Sequence, residues 1–417
     1  MVNGIVVVIL SLSIFMQPLF FSVMGLLGLE HESSDSSMAY VIYVMSIAGS
    51  SLIIYIFSTV KHGVLKGEAL LLGIIIIFLA VHKIWVLFDP LNTILFPEIF
   101  IFFLLFGLPG FLSAAATLKL GLLPDLIRVS EILIVVMSVG IISFSVLPSL
   151  AGIRVASLAG ASYQTLSYYG AFAFGMLLIY NFHLPNQLRF RVSSQSWYRL
   201  ANYCLMIGCL TACILGGGRG AFLLLGAYFI MGVLLFFSDK TNFRTTRRLT
   251  STVFKLMSII VVAIIFVTTF GENDFVQAGF DRATQFIGDD GAIDLERGSS
   301  GRDVVYSWAL EYIQQQPIIG YGPFGFRDKT LHPHNLFLEI WLQFGIIGVF
   351  IFLMVGAALL LKTFKNRDQY TIWIFSLFLY PFVMTMFSGT YLHTAIFIFC
   401  ISFMVIHRKY RNHRLLA

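Results

Sequence analysis

Charge is what this chain has least of. Asp, Glu, Lys and Arg make up 12% of its 417 residues, where a soluble domain carries about 25%. Segments of roughly ten residues alternating between apolar and polar are also missing, which excludes a membrane β-barrel. The chain has no phosphate loop ending in Gly-Lys-Ser/Thr, no CxxC pair, no HExxH and no dinucleotide fingerprint. No outer loop carries an Asp-x-Asp pair; Asp289-Asp290 is merely adjacent. No cofactor or metal is therefore expected. The four cysteines, Cys204, Cys209, Cys213 and Cys400, lie inside apolar blocks. Cys209 and Cys213 share a helix face but have no nearby His or acid, so packed thiols are expected, neither a disulfide framework nor a metal site. The first apolar block, about residues 5–27, lacks a basic lead and a small-residue cleavage site, and reads as a retained span.

What fills the chain is hydrophobic sequence: 58% of residues, with a mean hydropathy of +0.88. It comes in blocks of roughly 18 to 25 residues, enough to cross about 30 Å of hydrocarbon at 1.5 Å per residue. In lipid each backbone group must bond within its own segment, so the blocks are predicted to be helices. The expected fold is all-α: a polytopic transmembrane helix bundle of about twelve spans, forming one integral membrane domain over residues 1–417. The spans run near 5–28, 39–60, 69–87, 98–118, 127–147, 166–182, 200–216, 220–237, 256–270, 336–361, 371–387 and 391–406. With both termini cytoplasmic, most of the 27 Lys and Arg, Lys119 and Arg189 among them, fall in inner loops. The net charge of +6 is then a topology signal; it points to contact with membrane lipid and gives no reason to expect nucleic acid. One large hydrophilic loop, 271–335, is left outside, between spans nine and ten. No internal repeat suggests paired transporter halves.

The unusual polar residues gather on that outer side. Arg219 sits in Gly216-Gly217-Gly218-Arg219-Gly220, between two apolar blocks. It reads either as a loop Arg snorkelling to the interface or as an anion ligand. The glycines favour the second, because they allow close approach and set the guanidinium beside a helix N-terminus, a combination suited to a diphosphate. Arg302 opens a segment where Val305, Trp308, Ala309 and Tyr312 recur at helical spacing until Pro317, predicting an amphipathic helix able to lie on the membrane surface. His334, in His332-Pro333-His334-Asn335, stands at the mouth of span ten. An imidazole accepts a proton near neutral pH and suits general-base work. Asn335 can cap the following helix and Glu339 lies about one turn on. Arg154, Tyr163 and Gln164, read as an outer loop, and Tyr321, His332, Asn335 and Glu339 complete the candidates for substrate contact. Lys83 is a lesser cation near the outer end of span three.

Taken in order, Arg219, Ser300-Gly301-Arg302, Trp308, Pro317, Gly320-Tyr321-Gly322, His334-Asn335, Glu339 and Gly345-Ile346-Ile347-Gly348 resemble the O-antigen ligase / Wzy polymerase superfamily. The resemblance covers roughly residues 205–355. It implies a metal-independent, inverting glycosyltransferase on the outer face of the bacterial inner membrane, with a glycan on undecaprenyl diphosphate as donor. It further implies that Arg219 and Arg302 hold the diphosphate and that His334 activates the acceptor hydroxyl. Polymerisation of O-antigen or related repeat units is the expected activity. The alternatives are ligation to lipid A–core and, from another class, a polysaccharide flippase, for which Arg128 and Glu131 are the best features. A chain-length regulator joins the lipid-linked glycan as a candidate partner.

Overall fold

A computed structural model of the chain describes residues 2–27, 29, 34–88, 100–153, 157–158, 162–238, 261, 265, 269, 274–284, 302–322, 326, 332–366, 368–390 and 394–414. Among them every regular element is helical. In chain order the helices are α1 (Val2–Val23), α2 (Ser34–His62), α3 (Lys66–Phe88), α4 (Leu108–Leu120), α5 (Leu123–Ile141), α6 (Tyr163–Phe182), α7 (Ser196–Gly216), α8 (Arg219–Ser238), α9 (Asp274–Thr284), α10 (Arg302–Gln315), α11 (Leu336–Asn366), α12 (Gln369–Phe387) and α13 (Ala395–Arg414). The expected spans one to eight fall on α1 to α8, and spans ten to twelve on α11 to α13. Span nine lies outside the described residues apart from 261, 265 and 269. Seven helical stretches are long and apolar enough to cross a membrane, and two shorter apolar helices, Arg219–Leu235 and Ala395–His407, accompany them. The chain is a multi-pass helical membrane protein.

Its contacts divide into two compact units. The first comprises Met1–Tyr43 and Leu123–Gln285. Here α6 is enclosed by α5, α7 and α8, and every residue from Leu166 to Tyr180 is buried. Small residues let backbones meet, as membrane helices require: a Cβ on Gly170 would stand 2.7 Å from the Cys209 carbonyl, and one on Gly140 would stand 2.2 Å from that of Ser22 in α1. Pro148 cannot donate to the preceding turn, and α5 widens into a π-turn at Ile142–Val146 just before it. The transporter-like residues of α5 are tied up locally. Arg128 pairs with Asp125 at 2.6 Å and donates to the Gln187 carbonyl. Buried Glu131 accepts from Arg189 at 3.1 Å, from the Phe190 N–H at 2.6 Å and from the Tyr198 hydroxyl at 3.3 Å. Arg189, taken from sequence as a loop cation, is thus 5% exposed.

The second unit comprises Val44–Leu122 and Phe286–Ala417. α13 packs on α3, α4 and α12, and its Ala395 carbonyl would lie 2.2 Å from a Cβ on Gly110. Lys119, also taken as a loop cation, is buried in an ion pair with Glu68 of α3 at 2.6 Å. α10 packs against α11, burying Ala309 and Ile313 with Leu342 and Phe103 while Val304 and Trp308 stay exposed. The α10 face predicted to lie on the membrane is therefore split, because Ala309 turns inward.

α11 itself is broken at Gly345 (φ 62°, ψ −167°). The segment after α10 takes over the bonds the break frees. Tyr321 N–H donates to the Leu342 carbonyl at 2.8 Å and Gly322 N–H to that of Gln343 at 2.9 Å, while Ile346 N–H donates to the Pro317 carbonyl at 2.8 Å. Trp341 Nε1 adds a bond to the same Pro317 oxygen. A Cβ on Gly345 would stand 1.9 Å from the Ile318 carbonyl, so only glycine fits there.

Candidate functional site

In the first unit, the turn that carries Arg219 is built by three elements. α7 ends where Gly217 adopts φ +66°, its N–H bonding to the Cys213 and Ile214 carbonyls. The Ser167 hydroxyl of α6 donates to the Cys213 carbonyl at 3.0 Å and accepts from Gly218 N–H at 2.9 Å, clamping the turn from one side. From the other side α9 closes so tightly that a Cβ on Gly217 would lie 2.4 Å from the Gly279 carbonyl. Gly218 then starts α8, accepting from Ala221 and Phe222, and Arg219 is the first helical residue, half-buried. Arg219 therefore stands at the positive end of a helix, as the sequence led us to expect.

Arg282 is the residue the sequence reading missed here. It lies in the last turn of α9, its Nη2 donating to the Leu215 carbonyl at 3.3 Å and its guanidinium 4.5 Å over the Tyr163 ring. Its Nε is buried with no hydrogen-bond partner among the described residues. Burial works against its charge, while Tyr163 and Asp281 favour it. The available signal was spacing: Val276, Gly279 and Arg282 recur every three residues on one face, and the first two are buried. Tyr163 and Gln164 open α6, behind the N-cap Ser162, instead of lying in a loop. Arg154 and residues 160–161 lie outside the described residues, and Lys83 is exposed in α3.

Gly217→Ala is expected to lower stability by about 1–2 kcal/mol or more, since it adds left-handed strain to the collision with Gly279. Gly226 in α8 has open space around it and is the control. Equal thermal stability and equal glycan product for the two alanine variants would show that the close α9 contact has no role in the turn.

In the second unit, Arg302 is the half-buried first residue of α10. Asn335 caps α11 as predicted, its Oδ1 accepting from Phe337 N–H at 3.0 Å and Leu338 N–H at 3.2 Å. Immediately before it, His334 has φ +47°. His334 is exposed by surface area, yet enough protein surrounds the imidazole that desolvation, followed by the charges of His332 and Arg302, holds its pKa below the usual histidine value. Glu339 is fully buried; its Oε1 accepts from Thr390 Oγ1 at 2.8 Å and Gln343 Nε2 at 3.3 Å, and stands 3.4 Å from His332 Nε2. The Tyr321 hydroxyl is engaged with the Tyr312 carbonyl at 3.0 Å, which gives it a structural task in the turn after α10. Among the described residues no group of three His, Cys, Asp or Glu could hold a metal ion.

Residues 204–353 match the family model described as O-Antigen ligase. Over that segment, a little over a third of the chain, the sequence is similar to the O-antigen ligase family. The segment contains Arg219, Arg282, Arg302, His334, Glu339 and the Gly345 break, and excludes Tyr163 and Lys119. No curated protein and no solved structure matches the chain. The description of the matched family points to glycosyl transfer of the O-antigen ligase type.

Proposed function

We propose that the chain polymerises glycan repeat units carried on a polyprenyl diphosphate, undecaprenyl in a bacterial inner membrane, at the outer face. The observation that carries this reading is the placement of His334. It stands out from the backbone on a left-handed turn, with Arg302 near enough for its charge to oppose protonation of the ring. A neutral imidazole beside a fixed cation suits a reaction in which a sugar hydroxyl must lose a proton while an anionic leaving group departs. The acceptor oxygen attacks the anomeric carbon from the face opposite the diphosphate and forms the new glycosidic bond. The bond from that carbon to the diphosphate oxygen breaks with its electron pair. The hydroxyl proton passes to His334, and the configuration inverts. Arg302 and Arg219 each take the role of stabilising diphosphate charge, so the reading assigns to guanidiniums the work a metal ion does in other transferases. The energy comes from the diphosphate linkage.

The second reading, ligation of the glycan to a lipid A–core acceptor, is favoured by the description of the matched family itself. Deleting the gene and examining surface lipopolysaccharide separates the two. Core capped with a single repeat supports polymerisation. Uncapped core with accumulated polymeric donor supports ligation. An unaltered ladder refutes both.

A further inference from the structure

We infer that His332 is a positioning residue that holds His334 in its reactive conformation and is itself held by buried Glu339. The inference rests on the reading of His334 as the base. Among the described residues His334 is the one non-glycine with a positive φ. Such a conformation is unfavourable for a residue with a Cβ and persists only where neighbouring groups impose it. The neighbour here is two residues back: His334 N–H donates to His332 Nδ1 at 3.1 Å. This is the bond that an Asn or Asp side chain makes to a backbone N–H two residues on, here made by an imidazole. A ring nitrogen that accepts bears no proton, so the ring proton of His332 is on Nε2. That nitrogen is buried without a hydrogen-bond partner among the described residues and stands 3.4 Å from Glu339 Oε1, so the carboxylate acts on it by charge.

Glu339 is well placed to serve as the anchor. It is fully buried one turn into α11, and Thr390 and Gln343 hold the same oxygen that faces His332. The carboxylate favours the Nε2–H tautomer, the tautomer favours an accepting Nδ1, and the accepting Nδ1 fixes the backbone of His334. The two rings stand 5.0 Å apart between centroids, tilted by 56°, so His332 sets the orientation of its neighbour through the backbone and not by stacking. Neither ring nitrogen of His334 is used in this arrangement among the described residues, which leaves both for substrate.

Three variants of the full chain test this. His332→Asn keeps an acceptor where Nδ1 stands but does not reach Glu339. His332→Gln reaches Glu339 but offers no acceptor at the right distance for His334 N–H. His332→Leu keeps bulk alone. With each variant as the sole copy in cells, the Asn protein is expected to keep glycan chain synthesis within about 10-fold of the parent. The Gln and Leu proteins are expected to lose about 10²-fold, the effect of a misplacement on the order of 1 Å. The loss should fall on kcat, with KM for the lipid-linked donor unchanged, at equal membrane levels of protein. Gln and Leu variants as active as Asn, or an Asn variant as poor as they are, overturn the proposal.

A second measurement does not depend on the reaction. In ¹⁵N-histidine spectra of the full chain in lipid, the signals lost in His332→Asn should report a protonated Nε2 and an unprotonated Nδ1. The opposite tautomer overturns the contact whatever the activity shows. Full activity in His334→Ala with the expected tautomer would reject the base reading alone.

Discussion

His334→Ala is expected to lower turnover by about 10²–10⁴-fold, the contribution of a positioned general base, and to collapse the ladder of surface glycan chains. The protein should still reach the membrane, because His334 is exposed and its side chain packs into no core. Arg219→Ala and Arg302→Ala should each cost about 10²–10³-fold, the loss typical of one preorganised donor to developing negative charge. The pH profile adds a second signature. Burial, His332 and Arg302 all push the His334 pKa down. A base is active when unprotonated, so its rate is flat through neutrality and falls only when pH drops through the lowered pKa. The acid limb of kcat/KM should therefore lie below the ordinary imidazole value of 6.5. Substituting Arg302 by Gln removes one cause, and the limb of the residual activity should move up. Full turnover in His334→Ala, or an acid limb above the ordinary value, would remove His334 from the mechanism.

The other large effect concerns stability. Lys119→Met should destabilise the protein by about 3–5 kcal/mol, because it leaves a buried carboxylate without its cation. Both side chains of the Lys119–Glu68 pair are fully buried, and the pair is embedded in further bonds. Lys119 Nζ also donates to Thr59 Oγ1 at 2.6 Å and lies 4.6 Å from the centre of the Tyr55 ring. Glu68 accepts from the Tyr55 hydroxyl at 2.6 Å and from Leu65 N–H at 2.9 Å. Combining Lys119→Met with Glu68→Gln should recover most of the loss, since the amide oxygen still accepts a bond and no net charge is left in the interior. Thermal unfolding of the purified full chain in detergent measures both. A single variant as stable as the parent would show that the pair is not a structural lock. A double variant that folds normally but is inactive would move the pair from scaffold to function.

The legible parts of this protein are those that a local pattern encodes. Apolar blocks gave the helices, Pro317 marked where α10 has ended, and Asn335 was visible as the cap of α11. Arg219 was placed at a helix start by the glycines around it. What the sequence hid is pairing over distance. Lys119 finds Glu68 across 51 positions and Arg189 finds Glu131 across 58, and each cation read as an ordinary inner-loop charge because no periodicity links it to its partner. Arg282 was hidden for the same reason: its value lies in the Leu215 carbonyl and the Tyr163 ring, both supplied by other helices. His332 was visible as a residue, but its task was not, since the left-handed backbone of His334 has no mark in the sequence beyond the neighbouring Pro333.

The break in α11 bears on how the second unit moves. A continuous membrane helix can slide or rotate about its long axis at little cost, because its own ladder of backbone bonds travels with it. α11 has lent four rungs of that ladder to residues 317–322. Any piston-like displacement of its upper turns must then drag the segment behind α10, or leave amide groups bare in a place with no water to receive them. Arg302 at the far end of α10 and His334 at the top of α11 are in this way geared together, and substrate entry can tilt them as a pair more cheaply than it can part them.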